Sequence, residues 1–326
     1  MGSRHPTDMR WLTEADVVAT VDLLDAIDAV EDALVAESRG KAHGMEKTHV
    51  AWGDGHTLHA IGAVDETDGL VATKTWAHTG GGATPLVVLW DANDGTVVAI
   101  VEAFALGQLR TGAMTGVATR WLAPEHATRA ALVGTGKQAI AQLAAMAAVC
   151  MLDEVKVHSP SADHRRAFVE VARALDWSFD IVDAETVVAA TREAHVVTTA
   201  TRARTAFLHR ADVDDGALVN AIGAITPERA ELSPDLVARA DLLVADSTVA
   251  AERLATELAG RSAKPLHEVV GGGHRRPPAT LTIFKAMGVG LADLAIARLA
   301  WQRSIEEGRG ANIAQPVRAS PRLRRT

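Results

Sequence analysis

A glycine-rich loop in the middle of the chain limits what it can fold into more than any other feature. The loop follows the apolar run Ala130–Val133 and precedes an alanine-rich segment typical of a helix. Such glycines permit a tight turn and a close approach of the backbone to a pyrophosphate, and the helix N-terminus offers free N–H groups. We therefore predict a unit that binds NAD or NADP, with an unliganded strand–helix turn as the alternative. The predicted phosphate-binding residues are Gly134, Thr135, Gly136, Lys137, Gln138 and Ala139.

Downstream of residue 129, short apolar runs alternate with helical segments. We predict strands over Ala130–Val133, Glu154–His158, Ser178–Val182, His195–Thr199 and Ala217–Ile222, and helices over Gln138–Met151, Asp163–Leu175 and Thr186–Arg192. This alternation predicts an α/β fold with a doubly wound parallel sheet and right-handed crossovers. We expect residues 126–284 to form this Rossmann domain, interrupted by a glycine- and proline-rich stretch at Gly271–Pro278.

The first 125 residues have a different pattern. Helices are predicted over Thr13–Ser38 and Leu106–Leu122. Between them, apolar runs alternate with glycine turns at Thr57–Ala63, Leu70–Trp76, Leu86–Trp90 and Val97–Val101. This pattern predicts an antiparallel meander. We expect an N-terminal α+β domain over residues 1–125, completed by residues 285–326, because a final apolar helix over Leu281–Leu299 is expected to fold back onto it.

The second strand of the predicted Rossmann domain ends without an acidic residue. A site that prefers NAD usually places Asp or Glu there to accept the ribose 2′-hydroxyl, and the first acid in this stretch is Asp163. Ser159, Ser161 and Arg165 are suited instead to a 2′-phosphate, which favours NADP slightly over NAD. The alternative is that Arg165 belongs to a solvated helix face.

The fourth and fifth strands end in small and polar residues. Ligands of open α/β sheets bind beyond the carboxyl ends of the strands, so these two segments are expected to flank the nicotinamide half of the cofactor. The expected residues are Thr199, Ala200, Thr201, Asn220, Ile222 and Gly223.

Charge and composition argue against several classes of partner. The net charge of −8 argues against nucleic acid, and the lack of a run of roughly 18 apolar residues argues against a membrane span. The single cysteine, Cys150, is expected to be a small buried hydrophobe and fits a reducing compartment, so we expect a cytoplasmic protein. The histidines lack metal-ligand spacing, so no metal is proposed. The arginine-rich end, Val317–Thr326, is interpreted as a solvated tail.

Several short motifs occur in one order along the chain. They are Ala72–Trp76 around Lys74, Leu109–Ala113 around Arg110, the loop at Gly134, Val219–Gly223 with Glu231 and Leu232, and Phe284–Asp293. Over nearly the whole chain this set resembles the ornithine cyclodeaminase/mu-crystallin family, whose members include cyclodeaminases, alanine dehydrogenases and ketimine reductases. The resemblance implies a homodimer formed through the N-terminal domain and a site between the two domains. It adds Thr111 and Gly288 to the expected cofactor site.

The resemblance also implies how a substrate carboxylate is held. Lys47, Lys74 and Arg110 match the positions that bind it in the family, with Lys47 where the family usually has Arg. A guanidinium can hold a carboxylate through two parallel hydrogen bonds. A lysine beside another cation is expected to have a lowered pKa, which suits Lys74 to proton exchange with an amine or imine. Lys74 and Arg110 are therefore the predicted catalytic residues.

One position departs from the family pattern. Ile225 stands where cyclodeaminases and alanine dehydrogenases have an Asp that handles the substrate amine. Because isoleucine cannot accept a proton or pair with an ammonium group, the change disfavours ornithine cyclisation more than imine reduction, and mu-crystallin-like ketimine reductases also lack the Asp. His59 or His78 is a candidate substitute acid–base group, and His59 is also a candidate for substrate binding, with a turn or surface histidine as the alternative. Trp76 is expected to fill core.

We therefore expect an NAD(P)H-dependent reductase or dehydrogenase that acts on a small α-imino or α-amino acid. An ornithine or lysine cyclodeaminase with bound NAD is the first alternative. A non-catalytic, crystallin-like NADP binder is the second.

Overall fold

The computed structural model describes residues 8–258, 260–273 and 280–324. Its strands are β1 (Asp8–Leu12), β2 (Ala42–Trp52), β3 (His56–Asp65), β4 (Leu70–Thr79), β5 (Gly82–Ala83), β6 (Leu86–Asp91), β7 (Val97–Glu102), β8 (Arg129–Val133), β9 (Glu154–His158), β10 (Asp180–Asp183), β11 (Val196–Thr199), β12 (Leu218–Ala221), β13 (Leu242–Ala245), β14 (Lys264–Pro265), β15 (Thr282–Lys285) and β16 (Ala311–Ala314). Its α-helices are α1 (Glu14–Thr20), α2 (Leu23–Ser38), α3 (Phe104–Leu122), α4 (Ala139–Val149), α5 (Ala162–Arg173), α6 (Val187–Thr191), α7 (Pro234–Arg239), α8 (Thr248–Leu254), α9 (Leu266–Gly271) and α10 (Gly290–Glu306).

The N-terminal strands form a mostly antiparallel sheet. They lie in the order β16-β1-β7-β6-β4-β3-β2, with the short β5 beside the end of β4. Strand β1 runs parallel to β7, and the late strand β16 pairs with β1 at the edge. Helix α10 packs on β3, β4 and β6 and against α2 and α3. The predicted α+β unit, with a C-terminal helix folded back onto it, is confirmed.

The second sheet is entirely parallel, in the order β10-β9-β8-β11-β12-β15-β13-β14. Its central strands are buried on both faces: in β8, Leu132 belongs to one apolar cluster and Ala131 to the other. Such two-sided burial is typical of a doubly wound sheet, and the predicted Rossmann class is confirmed. Helix α3 packs against α4 and thereby joins this sheet to the first unit.

The predicted single helix over Thr13–Ser38 is wrong, because the structure has two helices. Thr13 caps the first, and its hydroxyl accepts a hydrogen bond from the Asp16 amide. The Asp22 carboxylate accepts one from the Asp25 amide at 2.9 Å and caps the second. Two N-cap residues within one apolar pattern start two helices.

The predicted helix over Leu281–Leu299 is wrong in its first part. Thr282–Lys285 is the central strand β15, which lies between β12 and β13, and the helix begins only at Gly290. A short apolar run that is buried on both faces has the same pattern in a helix and in a central parallel strand. Strand β2 was likewise not predicted, because its side chains are mostly exposed polar and small residues without clear alternation.

Cys150 is half-buried after α4, and burial raises the pKa of its thiol to about 11. In the tail, Arg318, Arg322 and Arg324 are exposed, whereas Arg325 and residues 274–279 of the predicted glycine-rich stretch lie outside the described residues. Among the described helices, none has the length and apolar character needed to cross a membrane.

Candidate active site

A cavity of about 850 Å³ lies at the carboxyl ends of the parallel strands. The residues that line it after successive strands are Gly134 after β8, Ser159 after β9, Ala200 after β11, Ile222 after β12 and Ala286 after β15. Helix α3 contributes Arg110 and Thr111. A smaller cavity of about 270 Å³ adjoins the first. The residues that line both are Ile225, Asp246, Met287 and Gly288.

The phosphate loop fits a dinucleotide. Gly134 has a φ of +112°, and a Cβ there would lie 2.5 Å from the Ala200 carbonyl oxygen, so this turn requires glycine. A Cβ on Gly136 would meet no atom within 4 Å, which leaves open space beside the backbone. Helix α4 starts at Ala139 with no side chain capping its first turn. Its N–H groups can therefore bind a phosphate.

The structure separates the three residues that were expected near a 2′-phosphate. Ser159 lines the large cavity, together with His164. Ser161 caps α5 by accepting a hydrogen bond from the His164 amide at 3.3 Å. Arg165 is buried: its guanidinium bonds to Asp183 and to the Ser159 carbonyl oxygen, and it does not line the cavity. Arg165 therefore links helix α5 to Asp183 on β10 and to the backbone of Ser159.

A buried carboxylate, Glu231, joins the two strand ends that were expected to flank the nicotinamide. It accepts hydrogen bonds from the Thr199 hydroxyl at 2.9 Å, from the Thr201 amide and hydroxyl at 2.7 Å each, and from the Gly223 amide at 2.8 Å. A Cβ on Gly223 would lie 2.2 Å from the Thr201 carbonyl oxygen. The expected residues Ala200, Thr201, Ile222 and Gly223 do line the cavity, whereas Asn220 lies beneath it and donates to Thr119 at 3.0 Å.

Three charged side chains meet where the two units adjoin. The Lys74 Nζ donates to Asp293 Oδ1 at 2.6 Å, and the Arg110 Nε lies 3.6 Å from the same oxygen. A Cβ on Gly288 would lie 2.7 Å from Arg110 Nη1, so the guanidinium packs on bare backbone. Burial lowers the pKa of Lys74, against the opposing attraction of Asp293. Lys74 itself is 5% exposed and lines neither cavity.

Lys47 lies on the smaller cavity. The β2–β3 pairing shifts between Met45 and Thr48, so this residue sits in a bulge, a device that re-aims side chains near functional sites. Burial and then the charge of Arg110 lower the pKa of Lys47. The structure thus brings Lys47, Lys74 and Arg110 into one electrostatically coupled group.

His59 lies in a stack of rings on the N-terminal sheet and lines neither cavity. Its ring stacks on Trp76 at 4.7 Å and on His49 at 5.5 Å, and its Nε2 bonds with the Thr57 hydroxyl at 2.7 Å. Burial, reinforced by the charge of Lys47, lowers the pKa of His59 to about 4. Trp76 is half-buried in this stack, and the Lys74 ammonium lies 5.3 Å from its ring centre.

Sequence reasoning did not identify three acids of this site. Asp293 and Asp246 are buried, and the two Asp246 oxygens accept hydrogen bonds from the Met287 and Gly288 amides at 2.7 and 2.8 Å. Glu37 lines the smaller cavity 3.3 Å from the His267 ring, and burial raises its pKa to about 7. Asp293 ends a motif already noticed, whereas Glu37 lies in an ordinary amphipathic helix that carries no signal of function. Across the described residues, no group of three potential ligand side chains could hold a metal ion.

Comparison with known proteins identifies a family and relatives that match most of this chain. The profile of the ornithine cyclodeaminase/mu-crystallin family matches residues 7–308. The iminosuccinate reductase of Paracoccus denitrificans is 29% identical over 325 residues, covering 95% of this chain and 99% of the relative. A Delta(1)-pyrroline-2-carboxylate reductase of Bacillus cereus is 29% identical, covering 70% of this chain and 73% of the relative. The structure of the Paracoccus enzyme with NAD+ matches with a TM-score of 0.87 at 25% identity, covering 94% of this chain and 99% of that one.

Proposed function

The chain belongs to the ornithine cyclodeaminase/mu-crystallin family, and from this premise we propose that it is an NAD(P)H-dependent reductase or dehydrogenase of a small α-imino or α-amino acid. Proteins similar to it include two imino-acid reductases and an alanine dehydrogenase. One observation carries the proposal: Arg110 lines the same cavity as the phosphate loop at Gly134. A cation that can bind a substrate carboxylate therefore lies in the same cavity as a loop suited to bind the phosphates of a dinucleotide.

The substrate is held by its carboxylate. Arg110 is the proposed ligand. Lys74 and Arg110 share the single negative charge of Asp293, so the group of three side chains keeps a net positive charge that attracts a carboxylate. Lys47 is the third proposed cation, on the side of the smaller cavity. The bound dinucleotide supplies or accepts the hydride, and the protein supplies orientation.

The proposed cofactor is NADP or NAD. Residues 134–139 would hold its phosphates, and Thr201, Gly223 and Gly288, which line the same cavity, would hold its nicotinamide half. A neutral side chain, Ser159, stands where an acid would exclude a 2′-phosphate, and the imidazole of His164 lies nearby on the cavity wall. These two residues support a slight preference for NADP.

A substrate screen tests the proposed function. Purified protein is mixed with cyclic and linear α-imino acids, with NADH and NADPH in parallel, and the loss of absorbance of the reduced nicotinamide is recorded. Oxidation with at least one imino acid is expected. Ammonia release from ornithine or lysine without net cofactor turnover would instead identify a cyclodeaminase, and an absence of any turnover would leave a nucleotide binder.

Replacing Arg110 separates substrate binding from cofactor binding. Arg110→Ala should lower kcat/KM by about a hundredfold or more, because a charge-assisted pair to the carboxylate is lost. Cofactor affinity, measured by titrating the fluorescence of the reduced nicotinamide, should stay within about threefold of wild type. Arg110→Lys keeps the positive charge but lacks the planar guanidinium, so its kcat/KM should lie between those of Arg110→Ala and wild type. Full activity of Arg110→Ala would refute the proposed site.

Three further features belong to the same proposal. The chain forms a homodimer through its N-terminal unit, which is supported by exposed apolar side chains on β2 and β3, including Val50 and Leu58. The domains divide as residues 1–125 with 285–326, and 126–284, a division supported by the two separate sheets. The lone, half-buried Cys150 supports a cytoplasmic location.

A further inference from the structure

A buried carboxylate lies directly behind the wall of the larger cavity. Glu231 is fully buried and does not line the cavity, whereas Thr201 and Gly223, which bond to it, do. A Cβ on Gly223 would lie 2.5 Å from Glu231 Oε1, so the carboxylate packs on the bare backbone of a residue that lines the cavity. Glu231 can therefore act on a ligand in this cavity through its charge and through the wall that it holds, without touching the ligand.

The hydrogen bonds of Glu231 are those of an ionised carboxylate. The amides of Thr201 and Gly223 can only donate to it. The Thr201 hydroxyl accepts a hydrogen bond from the Ala203 amide at 3.2 Å, which leaves its own proton for Glu231. The Thr199 hydroxyl donates to the second oxygen at 2.9 Å. A carboxyl group whose two oxygens both act as acceptors carries a negative charge.

A second buried acid nearby has its own cation, but Glu231 has none. Glu257 Oε1 accepts from Lys285 Nζ at 2.7 Å, and Glu257 Oε2 accepts from the amides of Glu231 and Leu232 at 2.6 and 3.0 Å. Within residues 8–258, 260–273 and 280–324, no lysine, arginine or histidine forms an ion pair with Glu231. The charge of Lys285 is thus balanced by Glu257, and the charge of Glu231 is left unpaired behind the cavity wall.

From this arrangement we infer that Glu231 favours binding of the oxidised dinucleotide over the reduced one. The inference rests on the proposed function, in which Thr201 and Gly223 hold the nicotinamide half. Loss of a hydride from a reduced nicotinamide leaves one positive charge on the ring, and a fixed negative charge behind the wall stabilises it. The apolar side chains of Ile222 and Ile225 also line the cavity, which limits screening of this charge by water. Glu231 is therefore a positioning residue whose charge assists hydride transfer from dinucleotide to imine.

Glu231→Gln tests the role of the charge, because it replaces the carboxylate with a neutral amide of nearly the same shape. The dissociation constants of NADP+ and NADPH, and of NAD+ and NADH, are measured by calorimetry. A disturbed wall should weaken both forms by a common factor. The lost charge should raise the dissociation constant of the oxidised form about tenfold more than that of the reduced form. Glu231→Asp keeps the charge, so the ratio of the two constants should stay within about twofold of wild type.

The double variant Glu257→Gln with Lys285→Met is the matched control. It removes a buried pair that bonds to the backbone of Glu231, and it leaves the net charge unchanged. Any weakening should therefore be equal for the oxidised and reduced forms. Should Glu231→Gln not fold, as judged by near-UV circular dichroism, Glu231→Ser is measured in the same way, because its smaller side chain leaves room for water to accept the hydrogen bonds of the wall.

Two results overturn the inference: a neutral variant whose ratio of dissociation constants stays within about twofold of wild type, or a double variant whose ratio changes as much as that of the neutral variant. A tenfold change of the ratio in Glu231→Asp is equally adverse, because the charge is still present. Wild-type protein that binds neither dinucleotide refutes the proposed function itself. Wild-type protein that binds both forms, with an unchanged ratio in Glu231→Gln, refutes only the role of Glu231.

Discussion

The Asp293 carboxylate balances two cations in the protein interior. Its Oδ1 contacts both Lys74 and Arg110, and Asp293 is 1% exposed. Removing one member of a buried charge group leaves the others without compensation. This residue therefore affects the stability of the fold as well as the geometry of the site.

Neutralising Asp293 should be costly. We expect Asp293→Asn to lower the free energy of unfolding by about 3 kcal/mol, measured by urea denaturation, and to raise KM by misplacing Arg110. Asp163→Asn is the control, because Asp163 makes an exposed pair with Arg166 at 3.7 Å, and its cost should be below about 0.5 kcal/mol. Equal stability of the two variants would show that Lys74 and Arg110 do not depend on the buried carboxylate.

Glu37 should make stability depend on pH. Its folded-state pKa is raised from 4.5 to about 7 by burial and by the charge of Asp246. Below pH 4.5 the side chain is protonated in both states. As the pH rises from 4.5 to about 7, the unfolded chain ionises first and wild type loses stability.

Glu37→Gln removes this dependence. The variant should be more stable than wild type by about 2 kcal/mol at pH 8, a value reduced for the partial exposure of the side chain, and nearly equal to it at pH 4.5. Chemical denaturation across this range measures the difference, with the exposed Glu252→Gln as control. A difference that does not change with pH would contradict the raised pKa.

At the scale of elements, helices and strands were predicted correctly where residues close in the sequence determine them, and wrongly where distant residues do. The strand Glu154–His158 matches its predicted bounds, because an amphipathic helix and turn residues flank a short apolar run. Thr282–Lys285 is a strand where a helix was predicted, because its position between β12 and β13 depends on residues that are distant in the sequence. A buried central strand carries no local pattern that excludes a helix.

The same distinction holds for the candidate site. The turn at Gly134 was predicted because glycine is required by the local backbone, and the structure gives it a positive φ. The pairing of Lys74 with Asp293 joins residues 219 positions apart. The bulge that holds Lys47 depends on the register of β2 against β3. Neither arrangement follows from spacing along the chain.

The phosphate loop gives a prediction at this scale. Gly136→Val places a side chain in the open space beside the loop, where no atom lies within 4 Å. The fold should therefore be retained, with a Tm within about 2 °C of wild type, while cofactor affinity falls by about a hundredfold through lost phosphate contacts. Gly80→Val is the matched control, since a Cβ at Gly80 also meets nothing within 4 Å. Unchanged cofactor titration in Gly136→Val would place the phosphates elsewhere.

On the scale of the whole molecule, the outer face of the N-terminal sheet is apolar and uncovered in a single chain. Val50 is 65% exposed and Leu58 48%, and the two are cross-strand partners in β2 and β3. Trp52 is 44% exposed in the same strand as Val50. Contiguous exposed apolar side chains of this kind typically mark an interface, and the homodimer proposed above would cover them.

Leu58→Glu tests this assembly, because burying a charged carboxylate without a partner in an apolar interface is costly. We expect the dimer dissociation constant of the variant to be about a hundred times that of wild type or more. Sedimentation velocity over a range of concentrations measures it. Val171→Glu is the control, since Val171 is 61% exposed on α5, away from this sheet. The cofactor titration should be the same for both variants, because the phosphate loop belongs to the other sheet. A Leu58→Glu protein that sediments like wild type would exclude this face as the interface.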